Sequence, residues 1–169
     1  VKPFGLTKGK SWVLLANAQR GSLMANAISM KIGQMAGAHY TNHIIPVDLY
    51  INGEYKGNYM FTEKIGMANN SVDIDEEHGY VLELDTYGSS DEPISRTGVY
   101  NLPVKINEPD LGDYTADIAT ARRTAMLNDV KDMSNAIYND GDIESVLDVD
   151  ALARFYLAND LSLNQEINH

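Results

Sequence analysis

The sequence predicts an α+β protein, with a strand-rich first part that carries one helix and a helical second part. Three observations support this. Residues alternate between apolar and polar on both sides of an Asn-Gly pair in "HIIPVDLYINGEYKGNYMFTEKI". Short apolar runs bounded by Gly, Pro and Asn recur as far as Ile106. After Pro109 the apolar residues take up helical spacing.

In chain order, "SWVLLAN" (Ser11–Asn17) reads as a strand after a Gly/Lys-rich lead-in. "SLMANAISMKIGQMAG" reads as a helix that Ser22 can cap and Gly37 can end. Met24, Ile28, Ile32 and Met35 share one of its faces, which reads as core packing. Asn52-Gly53 predicts a tight hairpin turn, because both residues tolerate positive φ. "YVLELD" (Tyr80–Asp85) is a further strand, and "TYGSSDEPISRTG" is polar and turn-rich, an exposed loop. "VYNLPVKI" reads as a last strand that Pro103 keeps irregular or at an edge. "DYTADIATARRTAMLNDVKDMSNAIYN" reads as a long helix, with Asp113 as cap, Met126, Val130, Met133 and Ile137 on one face, and "NDGD" as its end. "DVDALARFYLANDLSLN" reads as a second helix of this part.

Composition narrows the function. The 169 residues are 44% hydrophobic, enough for a real core. The net charge is −11 with only 13 Lys and Arg, and no basic stripe appears, which argues against nucleic acid as a partner. The chain contains no Cys, so disulfides, thiolate metal sites and cysteine nucleophiles are excluded. No apolar run approaches the ~18 residues of a membrane span. No signal peptide is present, and the start at Val1 points to a processed or excised piece.

Few residues stand out for chemistry. Glu63 and Lys64 close the hairpin, and as strand neighbours they point to opposite faces. The plain expectation is that one is solvated and the other pairs across the sheet. Glu83 and Asp85 share a face, where two carboxylates can hold a metal, accept from a base or sit in water. "VDIDEE" lacks the Gly and the closing Glu of a calcium loop and reads as a solvated acidic loop. His39 and His43 straddle a predicted turn and do not make a metal pair. P-loop, G-x-S-x-G and standard protein-kinase signatures are all missing.

Several segments together resemble the spore-coat protein H (CotH) kinase-like family. "KSWVLLAN" is similar to its W-x-L-x-A-N segment before a helix. "LYINGEYKGNYMFTEKI" is similar to its L-Y-(I/L)-N-G-E-Y-x-G-x-Y-x-L-x-E-K segment, the most specific of the matches. "VDI" and "GYVLELD" follow in order, then "LPVKINEPD" and "NDLSLNQEINH". The resemblance implies a divergent protein-kinase-like fold, with residues 1–108 as the sheet-rich lobe that covers the nucleotide. Residues 109–169 would begin the larger, helical lobe, cut short at its C-terminal side. It also implies ATP and a divalent metal, Mg or Mn, as cofactors, a protein substrate or surface-protein partner, and a location outside the cell or on its envelope. In that frame Lys64 is placed like a phosphate-contacting lysine, with Lys105 as competitor, and Glu63, Glu83 and Asp85 line the nucleotide side. Asn164 is the metal-side ligand and Glu166 stands at the catalytic acid position.

The departures from the family pattern are specific. Ala25 replaces the usual Arg of an L-R-N segment, and "ANNSVDI" lacks the basic residues often found before V-D-I. The W-D-x-D segment, the expected metal-binding acid, would lie beyond His169. Phosphoryl transfer needs charge offset on the phosphate oxygens, so this piece is expected to be a poor kinase or to hold no cofactor. The alternative expectation is a non-enzymatic pseudokinase or coat-assembly module that binds a partner protein or a glycan.

Overall fold

The computed structural model describes residues 2–17, 21–87 and 94–164. The protein is α+β, with two small antiparallel sheets and three α-helices among the described residues. The chain forms two compact units. Val1–Asp73 with Asp150–His169 make one, and Ile74–Val149 make the other.

In the first unit, β1 (Trp12–Ala16), β2 (Ile44–Ile51) and β3 (Glu54–Glu63) form a sheet with β3 in the middle. Both of its pairings are antiparallel. The predicted hairpin is present, with Asn52 at φ +53° and Gly53 at φ +82°. A Cβ on Gly53 would meet nothing within 4 Å, so Gly is needed there for its backbone alone. Gly53→Val should therefore cost ~1 kcal/mol or slightly more from positive φ. Urea melts check this, and an unchanged midpoint would contradict it.

The ladder is not regular. Its register shifts between Leu49 and Tyr50, where Leu49 faces Gly57 but Tyr50 faces Tyr55. Lys56 is the extra residue of this bulge, and Gly57 at φ +119° supplies the backbone that accommodates it. Met60 and Thr62, both on the central strand, are the most deeply buried side chains of this unit. Trp12 stacks on Phe61 at 4.9 Å between ring centroids.

Helix α1 (Ala25–Ala36) ends at Gly37 in the left-handed region, as its sequence predicts. Ser22 does less than predicted. Its hydroxyl accepts from the Met24 amide at 3.4 Å, while the residue at the cap position is Met24 itself. The expected core stripe is corrected. Met24, Ile28 and Met35 are exposed, Met35 at 77%, and the buried residue is Gly33. Gly33 sits against Thr41, where a Cβ would come within 3.0 Å of Cγ2. The helix thus approaches through its smallest residue, and its apolar face is turned away. Arg154, on α3 (Val149–Leu161), donates to the Ala36 carbonyl at 2.9 Å and to Asp150 at 2.7 Å, which satisfies a carbonyl at the end of α1.

In the second unit, β4 (Val81–Leu84), β5 (Ser95–Thr97) and β6 (Leu102–Glu108) form a sheet in the order β4-β6-β5. Two expectations change here. Part of the segment read as a loop is strand β5, while residues 88–93 of that loop lie outside the described residues. Pro103 lies in the central strand rather than at an edge, and the strand is irregular, its register with β4 shifting between Val81 and Leu82. In a strand the N–H and C=O of one residue point the same way, and the Pro103 carbonyl accepts from the Asp85 amide at 3.2 Å, just past the end of β4. The donor that proline lacks would point there too, toward the Asp85 carbonyl, so the sheet forgoes only the reciprocal bond at the very end of the β4 ladder.

Helix α2 (Ala116–Tyr138) begins at Thr115, and Asp113 belongs to the short turn before it. Its buried residues are Met126, Val130 and Ser134, and Met133 is half-buried. Ile137 is exposed. Gly98, at the β5–β6 turn, lies directly against Ser134.

Candidate functional site

The described residues form two polar clusters, one in each unit. In the second unit, antiparallel register sets Glu83 directly opposite Lys105. Asp85, two residues on, falls on the same side. Lys105 Nζ lies 3.4 Å from Glu83 Oε2 and 3.7 Å from Asp85 Oδ2, with its side chain only 13% exposed. The acids are held as well. Glu83 Oε2 also accepts from Asn107 Nδ2 at 3.0 Å, and Asp85 Oδ1 accepts from the Tyr87 amide at 2.9 Å. The ammonium is therefore fixed between two carboxylates. The pairing itself adds little stability, about 0–1 kcal/mol, because the acids reach water. Its chemical value lies in placing a compact positive charge where anionic oxygens can meet it.

In the first unit, Glu63 and Lys64 divide as alternation requires. Lys64 is exposed, and its amide donates to the Ser11 carbonyl at 3.4 Å. Glu63 is 4% exposed. Its Oε1 meets His43 Nδ1 at 2.8 Å, and its Oε2 accepts from the His43 amide at 2.9 Å and from Thr62 Oγ1 at 3.4 Å. Asn42 Nδ2 donates to the Glu63 carbonyl at 2.8 Å and to Thr62 Oγ1 at 3.0 Å. Glu63 thus ties the end of β3 to the start of β2. His43 and Asn42 are partners that sequence reasoning missed. Counting outward from Asn52-Gly53 in an unbroken ladder sets His43 opposite Thr62, and the bulge carries it one residue further, to Glu63.

Two further expectations concern the C-terminal segment. Asn164 follows α3, and its Nδ2 donates to Asn159 Oδ1 at 2.7 Å. Glu166 lies outside the described residues. Among the described residues, no group of three or more His, Cys, Asp or Glu could hold a metal ion. The acidic loop is bound up locally. Asp75 accepts from the Glu77 amide at 3.0 Å and pairs with His78 Nδ1 at 2.6 Å. The hydrogen bond from His78 lowers the Asp75 pKa, and that same bond raises the His78 pKa. Tyr80 bonds Asp129, and burial, followed by that bond, pushes its phenol up to about 12. It stays a donor at neutral pH. No described helix is long and apolar enough to cross a membrane.

The family described as CotH kinase protein matches residues 2–166 of the chain. No curated protein and no solved structure matches it at a significant level.

Proposed function

Because the chain belongs to the CotH kinase protein family, we propose that it is a kinase-like, nucleotide-binding domain serving phosphate transfer from ATP to proteins on or outside the cell surface. The observation that carries the reading is Lys105, held between Glu83 and Asp85 with little exposure. Lys64, the other candidate, is exposed, and no acid among the described residues fixes it in place. Family membership suggests ATP and a divalent metal in general.

The described residues fit the nucleotide in part. Lys105 Nζ would offset charge on phosphate oxygens, while Glu83 and Asp85 keep it oriented. ATP, when bound, supplies the phosphoryl group. Asn164 as a metal-side ligand and Glu166 as the acid remain part of this reading, but the described residues do not assemble a metal-binding set.

Calorimetric titration of the chain with MgATP tests the reading. Lys105→Ala should weaken binding at least tenfold, about 1.4 kcal/mol, whereas Lys64→Ala should leave it within about a factor of two, the change typical of an exposed charge. A chain that ignores MgATP, or a Lys105→Ala variant that binds as tightly as the parent, would favour the non-enzymatic alternative, a module that binds a partner protein or a glycan.

A further inference from the structure

The first unit contains a pocket of about 310 Å³ beside the Glu63–His43 pair. That volume is at the low end of small-molecule sites, which span ~300–1,000 Å³. It is room for one small ligand. The lining residues come from Thr7, α1, the turn after it, the two residues just before β2, the end of β3 and the segment at Asn69–Ser71. Among the described residues no Lys or Arg lines it, and its only carboxylate is Glu63. Phosphates and other anions therefore have no Lys or Arg to meet there.

A cationic ligand is the next possibility, and the hydrogen bonds argue against it. Both Glu63 oxygens already have donors, Oε1 from His43 Nδ1 and Oε2 from the His43 amide and Thr62 Oγ1. The carboxylate is committed to holding the imidazole. Since an ionised carboxylate can only accept, Nδ1 carries a hydrogen, and in the neutral ring Nε2 is left as an acceptor. The His43 side chain is 60% exposed and lines the pocket. Ser71 Oγ lines the same pocket and is buried with no hydrogen-bond partner. A buried hydroxyl left unpaired is costly, and a ligand can satisfy it. The remaining polar wall mixes hydroxyls, those of Thr7, Tyr40 and Thr41, with side-chain amides, among them Asn69 and Asn70, and both kinds of group can donate and accept.

We propose that this pocket binds a small neutral polyhydroxyl ligand, the size of a single sugar ring. One ligand hydroxyl donates to His43 Nε2, another pairs with Ser71 Oγ, and the asparagine amides take the adjacent hydroxyls. Glu63 is a positioning residue, fixing the tautomer and orientation of His43. The pocket is built from residues of the first unit only and does not depend on nucleotide binding at Lys105.

The test is an NMR titration of the chain with glucose, N-acetylglucosamine and myo-inositol, with methylammonium and inorganic phosphate as charged comparators. At least one polyol should give saturable shifts at the His43 ring and the Ser71 amide. Ser71→Ala and His43→Phe should each weaken that binding about tenfold, the loss of roughly one hydrogen bond in a buried setting. Ser71→Ala removes an unpaired hydroxyl, so its fold should survive, as its own spectrum will show. The proposal fails if no polyol gives saturable shifts at these positions, or if only methylammonium or phosphate does. It also fails if Ser71→Ala, folded, binds the polyol as tightly as the parent. A MgATP titration read at Lys105 and Glu83 reports the nucleotide reading separately.

Discussion

Gly98→Val should destabilise the protein by about 3 kcal/mol, through two additive causes. Gly98 sits at φ +74° in the turn between β5 and β6, where a β-branched residue is strained. A Cβ there would also lie 2.5 Å from Ser134 Oγ and 2.6 Å from Ser134 Cβ, with the α2 backbone at Lys131 Cα only 3.6 Å away. Ser134 is 1% exposed and cannot swing into solvent. The clash begins at Cβ, so Gly98→Ala should already show most of the loss. Adding Ser134→Gly to Gly98→Ala should recover the steric part and leave the backbone part. Urea unfolding of the two single variants and the double variant measures this coupling. A Gly98→Ala variant as stable as the parent would refute the proposed contact.

Glu63→Ala is the second large effect, at about 3 kcal/mol. The substitution removes the acceptor for the His43 amide, the His43 ring and the Thr62 hydroxyl together. Thr62 is 1% exposed, so its hydroxyl cannot turn to water. Glu54→Ala on the same strand is the control. Its ion pair with Lys56 at 2.7 Å is solvent-exposed and should contribute less than about 0.5 kcal/mol. Thermal or urea melts of the two variants compare a buried acid with an exposed one. Equal losses would show that Glu63 does not anchor β3 to β2.

The Asn52-Gly53 turn is legible because it is local: two adjacent residues that tolerate positive φ, flanked by alternating strands, specify it without help from the rest of the chain. The end of α1 at Gly37 is legible for the same reason. The shared face of Glu83 and Asp85 follows from strand period alone. The identity of their partner does not, because the pairing of β4 with β6 spans some twenty residues, and only the fold sets Lys105 opposite Glu83.

Helical spacing shows which residues of α1 share a face, but it cannot show whether that face or the one bearing Gly33 packs inward, since close approach through glycine leaves no hydrophobic signal. The period of α2 likewise cannot reveal that a glycine turn presses on Ser134. An edge position for Pro103 follows only if its missing donor is counted against the ladder, and that donor points past the end of the neighbouring strand. Sequence by itself determined the local elements, the turn chemistry and the α+β class. Tertiary structure alone decided the register, through one extra residue at Lys56 that brings His43 to the buried Glu63, because a bulge costs little locally and its effect appears only across the strands it shifts.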